Sequence, residues 1–233
     1  MTRLLISVTD LEEARLAACA DLIDLKHPAQ GALGALPVSV IQTIRQALPA
    51  HILSATIGDL PLLPEAVADA AWQVAATGVD YVKIGLFEGE LSATLKALAP
   101  LARQTKLVGV IFADRKVDFI VLEELAKAGF TGAMLDTADK RLRLTELRSA
   151  TWLKGFVERA KAQGLLVGLA GSLRLEDVLP LRALDPDYLG FRGAVCQNRQ
   201  RTSRLEPKRL YQLHRAIRGP LFAHPPAFVS ARS

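Results

Sequence analysis

Short apolar runs alternate along this chain with longer stretches in which apolar positions recur every three or four residues. The short runs predict strands at 3–8, 21–25, 52–56, 81–84, 107–112, 132–135, 166–169 and 188–191. The longer stretches predict amphipathic helices near 10–20, 38–48, 65–76, 91–102, 117–128, 149–163, 176–184 and 207–217. Local punctuation agrees with these bounds. Thr9-Asp10 with Glu12 and Glu13 has the acidic start of a helix, Gly78, Gly129 and Gly164 fall where helices should stop, and Pro64 and Pro207 fall at first turns. Eight strand–helix units in 233 residues predict an α/β fold, a single (β/α)8 TIM barrel rather than an open doubly wound sheet. The barrel domain is expected over 1–218. Residues 219–233 contain three prolines and no periodicity, and read as a mobile tail. Packing of that tail against a second copy of the chain is the alternative, so a homo-oligomer stays open.

The segments after the strands are longer and less regular than those after the helices: 27–34, 57–61 and 136–140 stand out. In a barrel of this kind the loops after the strands build the active face.

Two lysines mark that face. Lys26 follows Asp-Leu-Ile-Asp-Leu and Lys83 follows Asp-Tyr-Val, each at the end of a strand-like run where lysine is disfavoured. Converging amines suggest carbonyl chemistry through a Schiff base, because a neighbouring cation lowers a lysine's pKa. Side chains alternate along a strand, so Asp24 shares the face of Lys26 and can hold or orient its charge. The plainer reading of Lys26 is a surface loop lysine. Asp136, at the end of Gly-Ala-Met-Leu-Asp, suits proton transfer near an iminium or else caps the next turn; Asp114, after Ile-Phe-Ala, carries the same two readings. Gly171-Ser172 and Arg192-Gly193 follow the seventh and eighth strands, where backbone N–H groups of this fold commonly bind phosphate. Gly171 and Gly193 would permit close approach, Ser172 would donate its hydroxyl and Arg192 would pair with the anion; simple turns are the alternative.

Composition narrows the function further. Half the residues are hydrophobic, which excludes global disorder, and no apolar run is long enough to span a bilayer. The first residues lack the pattern of a signal peptide and read as a strand. Cys19 and Cys196 are too few for a disulfide framework, which suits a cytoplasmic location. His27, His51, His214 and His224 are scattered without metal-ligand spacing, so neither metal nor cofactor is expected. The net charge of +5 is modest, yet Arg199, Arg201, Arg204, Lys208, Arg209, Arg215 and Arg218 face only Glu206 within 199–218. Attraction of phosphorylated substrates and a solvated final helix are both consistent with that cluster. Nucleic acid is not an expected partner, since no recognisable binding motif accompanies the charge.

Six segments together resemble the (5-formylfuran-3-yl)methyl phosphate synthase family of methanofuran biosynthesis, found in methanogens and methylotrophic bacteria. They are Asp24-Leu25-Lys26-His27-Pro28 with Gly31–Ala35, 54–59, Tyr81-Val82-Lys83-Ile84-Gly85-Leu86, 133–138, Leu169-Ala170-Gly171-Ser172 and 190–196. The resemblance implies a lyase that condenses two glyceraldehyde 3-phosphate molecules into a furan aldehyde phosphate, releasing phosphate and water. It also implies that Lys26 is the Schiff-base lysine, with Lys83 and Asp136 as catalytic partners, and that Lys140 matches a further family lysine, which we assign to substrate phosphate. Residues 112–116 keep an Ala-Asp pair in a differently charged setting, which leaves Asp114 open. Another Schiff-base aldolase of phosphorylated sugars is the nearest rival, and a catalytically silent scaffold barrel is a rival of another class.

Overall fold

A computed structural model of the chain describes residues 1–219; all but the first residue of the expected tail lies outside them. Eight parallel strands close into a barrel in chain order: β1 (Arg3–Val8), β2 (Leu22–Leu25), β3 (Leu53–Thr56), β4 (Tyr81–Gly85), β5 (Lys106–Phe112), β6 (Gly132–Asp136), β7 (Leu166–Leu169) and β8 (Tyr188–Phe191). The ring shuts where Arg3 to Ile6 pair with Tyr188 to Phe191. Around it lie α1 (Leu11–Leu16), α2 (Val38–Ala47), α3 (Pro64–Ala75), α4 (Leu91–Ala102), α5 (Ile120–Lys127), α6 (Leu144–Leu147), α7 (Ala150–Ala162), α8 (Val178–Arg182) and α9 (Pro207–Arg218). Among the described residues no helix is long and apolar enough to cross a membrane.

The period-two alternation of each strand sorts its residues into two cores. Outward residues such as Leu4, Ile6, Ile23, Leu25, Val82, Ile84 and Leu135 pack against the helices. Inward residues form a smaller apolar set: Leu5, Leu22, Tyr81, Val108, Val110, Phe112, Met134, Ala170 and Tyr188. Glycines on the inward face admit the largest of these. A Cβ on Gly168 would stand 2.2 Å from the Tyr188 ring, and one on Gly190 would stand 2.9 Å from Met134.

Helix bounds follow the sequence signals where caps are local. α3 and α9 begin at Pro64 and Pro207, and Gly78 and Gly129, just beyond α3 and α5, adopt φ of +81° and +83°. Two expectations shift. The first helix is shorter than 10–20, running from Leu11 to Leu16 before a single tighter turn. The 140s carry the short α6, which the apolar pattern does not announce.

The mouth of the barrel is half filled. The loop after β2 folds back over the strands, with Leu33 fully buried and its side chain 2.9 Å from where a Cβ on Gly85 would be. Phe87 lies against Phe112 at 4.6 Å between ring centroids and completes this plug. Asp59 holds the loop in place by accepting the backbone N–H groups of Ala32 at 2.7 Å and Leu33 at 2.6 Å. Gly31 makes that approach possible: its φ is +112°, and a Cβ there would reach 2.2 Å from the Asp59 carboxylate. The space above β6 to β8, β1 and β2 stays open.

Candidate active site

In that open half lies a cavity of about 220 Å3. Lys26, Lys83, Asp24, Asp136 and Lys140 line it together with Gly171, Ser172, Arg192 and Gly193. At its floor, Asp24 has no exposed surface and is ringed by donors. Ser7 Oγ donates to it at 3.0 Å, Ser54 Oγ at 2.6 Å and Lys83 Nζ at 3.0 Å. The strand register explains this ring, since Ser7, Asp24 and Ser54 stand side by side on three neighbouring strands. Lys83 is the middle residue of β4 rather than its last, so its amine enters from below. Lys26, just past the end of β2, stands higher, with Nζ 4.0 Å from the other Asp24 oxygen.

Burial pushes the Asp24 carboxyl up, but the charges of Lys83 and Lys26 and the Ser54 bond outweigh it, holding the group below the usual carboxylate range. Lys26 moves the opposite way. Burial is the largest influence and the Asp136 and Asp24 carboxylates oppose it, yet the amine falls from 10.5 to about 8. The neighbouring cations Lys140 and Lys83 add to the fall, though less than the loss of water does. Asp136, the last residue of β6, accepts from Lys140 Nζ at 2.7 Å and from the Thr137 N–H at 2.8 Å. Burial raises its carboxyl, and Lys140 and Lys26 more than reverse this, so it stays ionised. The result is an alternating arrangement of two carboxylates and three amines.

The loops after β7 and β8 form another part of the cavity wall. Gly171 has a φ of +106°, and a Cβ there would crowd Thr137 at 2.9 Å. Among the described residues no protein acceptor takes the backbone N–H of Ser172, Leu173, Gly193 or Ala194, and all four residues line the cavity. The Ser172 hydroxyl donates to the Lys140 carbonyl at 2.7 Å, so a ligand would meet the Ser172 backbone or accept a shared hydroxyl.

Two expectations require correction. Asp114 does not reach the cavity; it accepts the N–H groups of Ala138 and Asp139, each at 2.8 Å, and caps the loop after β6 that carries Lys140. Arg192 borders the cavity, but its guanidinium is already spent. Its N–H groups go to Arg201 O, Ser7 O, Ser203 O and both oxygens of Glu13, a residue only 1% exposed. All five donors are used within the protein. Glu13 was hidden from sequence reading because an acid in a first turn resembles dipole compensation. Removing Arg192 would strand that buried carboxylate, so Arg192→Met should lower stability by about 3–5 kcal/mol in urea unfolding. A variant of native stability with weakened substrate affinity would restore the phosphate-binding role. Also on the cavity wall stand Arg141, Arg143, Arg174, Arg199 and Arg201; of these only Arg199 and Arg201 belong to the basic cluster that composition singles out. No group of three or more His, Cys, Asp or Glu side chains with metal-site geometry occurs among the described residues.

Comparison with known proteins shows the fold and the family. The solved structure of phosphoribosyl anthranilate isomerase from Thermus thermophilus is 19% identical, with a TM-score of 0.65 over 93% of this chain and 98% of that one. The 3-hexulose-6-phosphate synthase of Salmonella typhimurium gives a TM-score of 0.67 at 14% identity, over 93% of this chain and 98% of that one. These likenesses establish the fold. Closer relatives carry a single name. (5-Formylfuran-3-yl)methyl phosphate synthase of Methanopyrus kandleri is 39% identical over 216 residues, 85% of this chain and 91% of the relative. A Methylorubrum extorquens protein provisionally named for the same activity is 42% identical over 223 residues, 94% of this chain and 93% of the relative. The family model described as 4-HFC-P synthase matches residues 4–214, and the chain therefore belongs to the 4-HFC-P synthase family of enzymes.

Proposed function

We propose that this enzyme condenses two molecules of glyceraldehyde 3-phosphate into (5-formylfuran-3-yl)methyl phosphate through a Schiff base on Lys26, in methanofuran biosynthesis. Atom balance then requires the loss of one phosphate and two waters. The observation that carries the reading is the buried Lys26 amine, 4.0 Å from the Asp24 carboxylate and in one cavity with Asp136, where burial lowers its pKa to about 8. About a tenth of that amine is neutral near pH 7, roughly 300-fold more than for an ordinary lysine, and can attack a carbonyl carbon. The iminium that follows restores a positive charge in the place the ammonium held, so Asp24 and Asp136 stabilise it without rearrangement. Carbon–hydrogen bonds next to the iminium become acidic. Asp136, ionised and at the rim of the same cavity, is the base; Lys83, bonded to Asp24 at 3.0 Å, returns protons from below. Lys140 and the two glycine loops hold phosphate. Another Schiff-base aldolase of phosphorylated sugars would use the same groups, and its product separates the two readings.

The test is incubation of the full chain with glyceraldehyde 3-phosphate, with and without borohydride. The expected result is a product absorbing in the near ultraviolet and a reduced adduct mapped by mass to Lys26. An aldol product without that absorption would transfer the enzyme to the rival reading, and an adduct on Lys83 would move the nucleophile. Lys26→Arg should give neither product nor adduct, because a guanidinium stays charged.

A further inference from the structure

We propose that Arg201 receives the departing phosphate of the triose attached to Lys26, acting as the leaving-group site of this cavity. The inference rests on the Schiff-base reading above and adds a residue and a step to it. Arg201 lies in the loop after β8 and reaches across the mouth, its Nη2 donating to the Gly31 carbonyl at 2.8 Å in the loop after β2. That is its guanidinium's one hydrogen bond among the described residues, which leaves the rest of a five-donor fork open. The residue is half-buried and lines the same cavity as Lys26, Asp136 and Lys140. Burial makes its charge harder to keep, and the carboxylate of Asp136 is the largest influence opposing this, which places Arg201 in the field of the reacting end.

Arg192 has no donor left, and Lys140, bonded to Asp136, has two further N–H groups for the retained phosphate. Arg192 also grips the Arg201 carbonyl at 2.8 Å, so the buried Glu13–Arg192 pair fixes the backbone from which Arg201 extends. The chemistry needs such a group at one step. With the aldehyde carbon of the triose joined to Lys26 as an iminium, the proton on the adjacent carbon leaves to Asp136. Its electron pair moves to the nitrogen as an enamine. The enamine then returns the pair, a carbon–carbon double bond forms toward the third carbon, and that carbon's C–O bond breaks with phosphate taking its electrons. Negative charge grows on the phosphate only in this step, and a permanent cation with unfilled donors stabilises it there. The phosphate of the second triose is retained and changes no charge, which suits the backbone N–H groups of the glycine loops.

The measurement is inorganic phosphate release from glyceraldehyde 3-phosphate, together with the mass of the borohydride-reduced Lys26 adduct. In Arg201→Met, release should fall about 10²–10³-fold, while trapping persists and the trapped adduct keeps its phosphate. Arg201→Gln, which carries no charge and is too short to keep the Gly31 bond, should be as deficient; loss of a structural strap alone would slow trapping and release together, whereas loss of the leaving-group cation slows release only. Arg201→Lys should recover part of the rate. Phosphate release at the native rate in Arg201→Gln, or an adduct that has lost its phosphate, overturns the proposal while leaving Lys26 intact. Absence of trapping in the native chain would instead remove the Schiff-base reading itself.

Discussion

Lys26→Met should be inactive and yet harder to unfold than the native chain at pH 7. An amine whose pKa falls from 10.5 to about 8 on folding is charged in both states below pH 8, and the folded state bears the cost of keeping it so. At 1.36 kcal/mol per unit that cost is about 3 kcal/mol, and relaxation of the surroundings makes about 1–3 kcal/mol the expected gain on removing it. The sign follows from proton counts. Between pH 8 and 10.5 the unfolded lysine is protonated and the folded one is not, so native stability rises with pH through that window. The advantage of Lys26→Met therefore shrinks from pH 8 and is gone above 10.5. Urea titrations of both proteins at pH 7 and pH 10 measure it. A variant less stable than native at pH 7 would mean that the carboxylates hold the ammonium comfortably, and the argument for a reactive amine would fail. The same pKa places the acid limb of adduct formation near pH 8, with the rate rising as pH rises.

Asp24→Leu should have the opposite effect on stability. It strands the Lys83 ammonium, 2% exposed, beside the Ser7 and Ser54 hydroxyls, and a buried charge deprived of its partner costs about 3–5 kcal/mol. The double variant Asp24→Leu/Lys83→Met removes both charges and should regain most of that loss, a coupling that a double-mutant cycle isolates. Additive losses would show that Asp24 and Lys83 do not depend on one another. Where Asp24→Asn folds, its adduct formation should have an acid limb below that of the native protein, since the Asp24 charge is one of two that raise the Lys26 pKa.

The barrel was legible because its signal is local. Each strand announces itself by an apolar run and each turn by glycine or proline, and eight repeats correct one another. Lys26, Lys83, Asp24 and Asp136 were legible for a related reason: a charged residue inside an apolar run has few explanations other than a site or a buried pair. Arg192 misled because its place after the eighth strand says nothing of Glu13, which approaches from 179 positions away in sequence. Asp114 misled in the same manner, its two acceptors being satisfied by loop N–H groups 24 and 25 positions on. Arg201 was visible only as one charge among seven, since what distinguishes it is a bond to Gly31 that no pattern along the chain encodes.

The Leu33–Phe87 plug has a consequence for traffic. With one half of the rim closed, the two trioses of the proposed reaction would reach Lys26 through the same doorway, in file. The first would become the floor on which the second lands. Opening the plugged half with Leu33→Ala should therefore give an intermediate a second exit before its partner arrives, so that phosphate release exceeds furan formation.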